Sequence, residues 1–225
     1  MANTVKKVNT VAIADIKNIN TITDSNLKKL NTLEFTGVTD AHTLIGSPAI
    51  SDGSDATMGF TSGIDSTYDV YEFHFINMHP ETGNAQFMFQ VNDSGDEGGA
   101  YDESEIQSMT WNWYNGAAKT ATGPNYETDK DLSNDADYQP ILSRRTGAED
   151  SESVSGILTL FQPSSNTFAK QFISQGIGYH HEDYALIMHV GGYINDTTPI
   201  TQINFKFDTG EIQGGQIRMY GLAKS

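Results

Sequence analysis

Residues 68–222 repeat short segments in which apolar and polar side chains alternate, and this period of two constrains the fold more than any other feature of the chain. Phe87, Phe89 and Val91 alternate with polar residues, as do Ile203 and Phe205 further along. Such alternation places the apolar side chains on one face of a half-buried β-strand. No helical period extends over eleven or more residues in this region. Eight segments carry this strand character, at residues 68–78, 85–92, 106–114, 154–162, 168–175, 184–194, 200–207 and 215–222.

Eight antiparallel strands in about 155 residues predict an all-β protein with two packed sheets. We predict a jelly-roll-like antiparallel β-sandwich, preceded by an N-terminal segment of eleven-residue repeats that anchors the chain. Three regions follow from the composition along the chain. They are a repeat segment at 1–35, a linker with short strands at 36–66, and the β-sandwich domain at 67–225.

Two connections between the predicted strands are informative. Residues 68–78 and 85–92 are separated by a turn that contains Pro80 and Gly83, and we predict that they form a hairpin. The polar stretch between residues 114 and 154 is longer than a structural connection requires. We therefore expect that stretch to be a loop used for binding or contact.

The first 33 residues contain three copies of an eleven-residue repeat, at 5–11, 16–22 and 27–33. Each copy reads apolar, Lys, Lys or Asn, apolar, Asn, Thr, apolar. Two local structures are compatible with the repeat. An eleven-residue period suits a right-handed helical supercoil. We favour one helical turn, for example over 16–19, followed by a short extended step over 20–22, because Asn and Thr are poor helix formers.

Each repeat offers three apolar side chains, which are too few to enclose a core. We therefore expect sister chains or a larger surface to cover them. Five lysines against two aspartates give residues 1–33 a charge of +3, so the remainder of the chain carries −19. The residues expected to anchor the chain and to make oligomer contacts are Val5, Val8, Val11, Ile16, Ile19, Ile22, Leu27, Leu30 and Leu33.

Composition excludes several classes of function. The net charge of −16 repels phosphate backbones and anionic lipid, so we expect no nucleic-acid partner. No apolar run approaches the roughly 18 to 20 residues that span a bilayer, and the first residues lack the apolar stretch of a secretory signal, so we expect no membrane insertion. The absence of cysteine excludes disulfides, thiolate metal sites and cysteine nucleophiles.

The chain lacks a serine nucleophile elbow, a phosphate-binding glycine loop, a dinucleotide fingerprint and a zinc-protease helix. Alternating oxygens at 129–137 resemble the start of a calcium loop, but Gly at the sixth position and Glu at the twelfth are missing. The segment 180–183 offers two histidines and two carboxylates, which we interpret as an ordinary loop. We predict no catalytic residue, cofactor or metal. Four carboxylates that remain open as a glycosidase pair are Glu72, Asp102, Glu103 and Glu105.

Three neighbouring aromatic residues are candidate glycan contacts, because aromatic platforms stack on sugar rings. Trp111 and Trp113 share one face of a predicted strand, and Tyr114 lies on the other face. Packing of the two tryptophans in the core is favoured over exposure, with Tyr114 the more exposed of the three.

Four segments together resemble structural proteins of tailed bacteriophages, especially those of marine cyanobacteria. They are the repeats typified by 16–22, and residues 71–82, 155–165 and 210–222. The resemblance covers most of residues 5–222. Where such repeats usually have Asn-Gly, this chain has Asn-Thr, which disfavours a tight turn at each Asn.

The resemblance implies a non-enzymatic virion protein that is assembled in the host cytoplasm. It implies attachment through the N-terminal repeats to other virion proteins of the capsid, neck or tail, as a decoration protein or a fibre, with the acidic β-sandwich displayed outward. The family supplies no catalytic residues. A homo-oligomer is expected, with a trimer as the first guess because fibres and spikes commonly have threefold symmetry.

Two other functions fit the same features. One is a carbohydrate-binding, receptor-recognition module of a tail fibre that binds a host surface glycan. The other is a phage depolymerase that cleaves host polysaccharide.

Overall fold

The computed structural model describes residues 42–222, apart from 103 and 116–120, together with six two-residue strands nearer the N-terminus. The chain divides into two compact units, Met1–Ala41 and His42–Ser225. All regular secondary structure of the described residues is β, which confirms the predicted all-β class.

The first unit contains three antiparallel strand pairs, one in each repeat. Two residues of chain, Asn-Thr, separate the strands of each pair, which is the spacing of a two-residue β-hairpin. The predicted helical turn over 16–19 and the helical supercoil are therefore wrong, since Asn18 and Ile19 are extended and paired. The strands are β1 (Lys7–Val8), β2 (Val11–Ala12), β3 (Asn18–Ile19), β4 (Ile22–Thr23), β5 (Lys29–Leu30) and β6 (Leu33–Glu34).

The second unit contains all eight predicted strands and five more among its described residues. The strands are β7 (His42–Ile50), β8 (Met58–Phe60), β9 (Val70–Pro80), β10 (Ala85–Asp93), β11 (Ile106–Asn115), β12 (Ala121–Tyr126), β13 (Ser133–Asp135), β14 (Gln139–Thr146), β15 (Val154–Phe161), β16 (Lys170–His180), β17 (Tyr184–Ile194), β18 (Ile200–Phe207) and β19 (Ile212–Leu222).

These strands form an antiparallel β-sandwich of two unequal sheets. The wide sheet runs β7-β19-β9-β15-β16-β17-β11, and both β12 and β13 pair with β11. The narrow sheet runs β14-β10-β18-β8. One residue pair, Thr146 with His180, connects the two sheets at an edge. Each of the four strands of the narrow sheet, β8, β10, β14 and β18, follows a strand of the wide sheet and is followed by another strand of the wide sheet.

Phenylalanine rings from the two sheets meet in the core. The ring centroids of Phe73 in β9 and Phe205 in β18 lie 5.9 Å apart, and those of Phe75 and Phe87 lie 5.4 Å apart. The predicted hairpin of residues 68–78 and 85–92 is therefore wrong, because β9 and β10 lie in opposite sheets and face each other across the core. The alternation of apolar and polar residues is compatible with either arrangement. It determines which side chains of a strand point to the same face, but it does not determine which strand is the hydrogen-bonded neighbour.

Two regions differ from their predicted character. Residues 42–60, expected as a linker with short edge strands, supply the edge strands β7 and β8 but belong to the second unit. The polar stretch after residue 114 contains β12, β13 and β14 and so is not one long loop. Apolar and polar residues alternate only weakly in these added strands. The strand β13 is exposed along its length, and β14 carries Pro140 beside the buried Ile141.

Two adjacent glycines in β17 provide a matched test of packing. A Cβ on Gly192 would lie 2.2 Å from the carbonyl oxygen of Gln107, whereas a Cβ on Gly191 would have its nearest neighbour at 4.0 Å. We expect Gly192→Ala to lower the free energy of unfolding by about 1–3 kcal/mol or more, because backbone must move to admit the methyl group. Gly191→Ala should change it by less than about 0.5 kcal/mol. Urea denaturation measures both, and equal losses would contradict the close packing of β17 on β11.

Candidate functional site

The outward side of the wide sheet is the largest feature that the core does not use. Along β16 every second residue is buried and every other residue is exposed. Strand register places outward residues in rows that cross four strands, for example Trp111, His189, Gln175 and Ile157. We call the outward residues of these four strands the open face. They are Gln107, Met109, Trp111, Trp113 and Asn115 of β11; Ala185, Ile187, His189, Gly191 and Tyr193 of β17; Gln171, Ile173, Gln175, Ile177 and Tyr179 of β16; and Ser155, Ile157, Thr159 and Phe161 of β15.

The open face is apolar although it lies in solvent. Eight of the eleven large apolar side chains that are exposed in the described part of the chain lie on it. Ile177 and Ile173 expose 53% and 50% of their surface, and Met109 exposes 49%. Isolated exposed apolar residues are ordinary on protein surfaces, but a contiguous group of them indicates an interaction surface.

The open face also carries no Asp, Glu, Lys or Arg among its nineteen residues. The whole chain has 29 acidic and 13 basic side chains, so the face is a neutral area on a strongly acidic protein. Charge returns at the next strand of the wide sheet, where Glu72 and His74 lie on β9.

Aromatic rings occupy the β11 side of the open face. Trp111 packs against Tyr126 of β12 with ring centroids 5.4 Å apart, and Trp113 meets His189 edge-on at 5.2 Å. Core packing of the two tryptophans, which the sequence favoured, is therefore wrong, since both lie on the outward side. Tyr114 was expected to be the most exposed of the three, yet it is partly buried and packs against the core.

The inward residues of β11 explain this reversal. Ser108, Thr110 and Asn112 are polar and buried, and the segment 127–132 hydrogen-bonds to the side chains of Ser108 and Asn112. The Ser108 hydroxyl oxygen accepts from the Leu132 N–H at 2.8 Å, and the Asn112 amide donates to Glu127 at 2.5 Å. With its inward side polar, β11 presents its tryptophans to the outside.

Six of the nine predicted anchor residues lie in described strands. They form three cross-strand pairs, one in each repeat, namely Val8 with Val11, Ile19 with Ile22, and Leu30 with Leu33. The other three, Val5, Ile16 and Leu27, lie outside the described residues. Each repeat therefore brings two of its three apolar positions opposite one another.

The carboxylates considered as a glycosidase pair do not assemble around Glu72. The Oε2 atom of Glu72 lies 3.1 Å from His42 Nε2 and 3.0 Å from His74 Nε2. Glu105 precedes β11, and three strands of the wide sheet lie between β9 and β11. That places the two carboxylates about 19 Å apart, beyond the roughly 10 Å that glycosidase chemistry tolerates. Glu103 lies outside the described residues.

The segment 180–183 forms the turn between β16 and β17, as the ordinary-loop interpretation requires. His180 is buried, its ring stacks on Tyr184 with centroids 4.0 Å apart, and its Nδ1 accepts the Glu182 N–H at 3.1 Å. The imidazole thus closes the hairpin.

The acidic residues at 129–137 have separate protein partners. Asp129 pairs with Lys130 at 3.0 Å, and Asp131 accepts a hydrogen bond from the Tyr126 hydroxyl. Among the residues that the structure describes, no three His, Asp or Glu side chains converge as ligands of a metal ion. The described part of the chain contains no helix long and apolar enough to cross a membrane.

A charged cluster around a buried lysine lies where β10 ends and β16 begins, and no sequence motif predicted it. Lys170 is fully buried, and its ammonium group donates to the carbonyl oxygens of Asp196, at 3.0 Å, and of Thr198. Burial lowers the pKa of Lys170, an effect that the charges of Asp196 and Asp93 oppose. This lysine ties the start of β16 to the connection between β17 and β18.

The two carboxyl groups of this cluster are hydrogen-bonded to each other. Burial, followed by the bond to Asp196, raises the pKa of Asp93 above its ordinary 3.8. Burial alone would also raise the pKa of Asp196, but the Thr198 N–H, the bond to Asp93 and the Lys170 charge lower it overall. Asp93 therefore keeps its proton to higher pH than Asp196, and Asp196, next to the buried ammonium group, ionises first.

Comparison with protein-family models, with curated proteins and with solved structures finds no match to this chain.

The raised pKa of Asp93 predicts a pH dependence of stability. Above pH 3.8 the folded protein retains a proton that the unfolded chain releases, so the contribution of Asp93 to stability falls as pH rises through its raised pKa. The lowered pKa of Asp196 affects stability at lower pH. The contribution of Asp196 to the free energy of unfolding is present above pH 3.8 and is lost as pH falls through its lowered pKa. We expect Asp93→Asn, which keeps the acceptor for the Gly95 N–H, to gain stability relative to the native protein between pH 4 and 7.

Urea denaturation at several pH values measures this difference. Asp150→Asn is the matched control, since Asp150 is an exposed carboxylate in the turn before β15. A stability difference between Asp93→Asn and the native protein that stays constant from pH 4 to 7 would contradict the shared proton.

Proposed function

We propose that this protein is a non-enzymatic structural component of a tailed-phage particle, attached through its N-terminal repeats. The observation that carries the proposal is the identical strand pairing in all three repeats, with one apolar pair in each. Isolated two-stranded hairpins are at best marginally stable in water, so each needs another surface against its apolar pair. The resemblance of the repeats and of the body segments to phage structural proteins supports the same conclusion.

The second unit suits the displayed part of such a protein. It is a β-sandwich with its own core, formed by His42–Ser225, and most of the chain's acidic residues lie in it. The proposal has the repeats bind capsid, neck or tail proteins and the chain associate as a homo-oligomer, with a trimer as the first guess.

Attachment predicts a clear separation of folding from particle binding. Without residues 1–33, the protein should remain soluble and folded, because the compact second unit begins at His42, but it should no longer join particles. Circular dichroism measures folding, and immunoblotting of purified particles measures attachment. Retention of the shortened protein on particles would overturn the proposal.

Point variants test attachment through the apolar pairs of the repeats without removing the segment. Val8→Asp, Ile19→Asp and Leu30→Asp together place a charge in each apolar pair and should abolish attachment. The matched control is Lys7→Asn with Lys29→Asn, which gives the first and third repeats the residue that the second repeat has at Asn18. The control should attach normally.

A second candidate function is supported by the aromatic rings of the open face. Trp111 with Tyr126, and Trp113 with His189, form a strip of rings on the outward side of the sheet, and Trp113 and Tyr126 are exposed. Sugar rings stack on aromatic platforms of this kind, so the second candidate is a carbohydrate-binding module that recognises a host surface glycan.

Glycan binding predicts a large effect of one side chain. Trp113→Ala should lower the affinity for a host glycan at least tenfold and leave the fold intact, because Trp113 is exposed and Tyr114 faces the core. Phe168→Ala is the control, since Phe168 is exposed outside the open face. A glycan array followed by isothermal titration measures both variants. Undiminished binding by Trp113→Ala would reject the aromatic strip as the glycan site.

A further inference from the structure

We infer that the open face is an interface between copies of this chain, in which the open face of one copy packs on that of another. The proposal concerns the β-sandwich itself and does not depend on attachment through the N-terminal repeats. Three properties of the face support this proposal, namely its area, its lack of charge and the shape of its surface.

The area of the open face matches that of a stable protein interface. Four strands about 4.8 Å apart, with outward residues about 6.8 Å apart along each strand, cover about 600 Å² in projection. The accessible area is larger, because the side chains stand out from the sheet. Stable interfaces bury about 800 Å² on each partner.

Charge limits where two copies can meet. The part of the chain after residue 33 carries −19, so two copies repel each other over most of their surface. The open face itself has no acidic residue, so like charges of two copies meet only at its margins, where Glu72, Asp131 and Asp183 lie. Charged residues are also depleted at the centres of protein interfaces relative to other surfaces.

The surface shape of the open face suits a protein partner. Gly191 lies in a row between Met109 and Ile173, and the space above it is open, with no atom closer than 4.0 Å to a Cβ placed there. The row therefore has a shallow hollow with an apolar side chain on each side. The exposed isoleucines Ile157, Ile173, Ile177 and Ile187 make up half of the eight large apolar side chains that the face exposes. Aromatic rings also lie beyond β11, at Phe161, Tyr179 and Tyr193. Branched aliphatic side chains pack well between β-sheets and are not the groups that stack on sugars.

Association through this face has a built-in reporter. The chain has two tryptophans, Trp111 and Trp113, and both lie on the open face. Burial of the face should shift their emission to shorter wavelength and protect them from acrylamide. Association through the N-terminal repeats alone should change neither signal.

The test uses the full chain. Sedimentation velocity and tryptophan emission are measured together from about 0.5 to 100 µM, a range that brackets interfaces of moderate affinity. The native protein should dimerise through this face, with tryptophan burial rising in step. Ile177→Glu should weaken association at least tenfold, and so should Gly191→Glu, whose new side chain enters open space and leaves the fold intact.

Two controls separate this proposal from its rivals. Phe168→Glu adds the same charge at an exposed apolar residue outside the open face and should associate like the native protein. The triple variant with Asp at positions 8, 19 and 30 should keep the tryptophan shift even if it no longer joins particles. A native protein that stays monomeric over the whole range would overturn the proposal. An oligomer that forms equally well in Ile177→Glu would also overturn the proposal. So would a protein that stays monomeric while a glycan protects its tryptophans from acrylamide.

Discussion

Contact between phenylalanine rings of the two sheets is the interaction on which the rest of the structure depends. Phe73 and Phe75 of the wide sheet meet Phe205 and Phe87 of the narrow sheet, and all four rings are buried. Burial of each ring contributes about 2–3 kcal/mol. Because successive side chains of a strand point to opposite faces, fixing these rings inward also fixes which residues point outward. The composition of the open face is thus a consequence of the register that the core imposes.

The unequal width of the sheets explains the rest of the interior. The narrow sheet has four strands and the wide sheet at least seven, so part of the wide sheet needs another cover. The segment around residues 127–137 provides it, mainly through hydrogen-bonding groups, with Leu132 as its apolar contact to the core. Gln90 donates to the carbonyl oxygens of Ser104, Ala136 and Asp137 at 2.9–3.1 Å, which holds this cover on the narrow sheet. A polar interior at β11 follows, and with it the outward position of the tryptophans.

Alternation in the sequence predicted the strands well and their partners poorly. Residues 184–194 and 200–207 are strands with the predicted bounds, because period two records the orientation of side chains directly. Nothing in that period distinguishes a neighbour in the same sheet from one across the core, and so the pairing of 68–78 with 85–92 was wrong. The sequence does contain one sign of the open face, because residues 185–190 are apolar at both alternating positions apart from His189. A strand that is apolar on both sides is typical of a sheet covered on both faces.

The two proposed contacts of this chain reinforce each other through valency. Each hairpin repeat has one cross-strand apolar pair, which binds weakly by itself, but three repeats on one chain act at a high effective concentration. Copies joined through the open face would multiply the number of repeats without any new type of contact. Since no cysteine is present to link the copies covalently, the strength of such an assembly depends on buried apolar area alone. An uncharged sheet face on an acidic protein supplies that area where repulsion between copies is weakest.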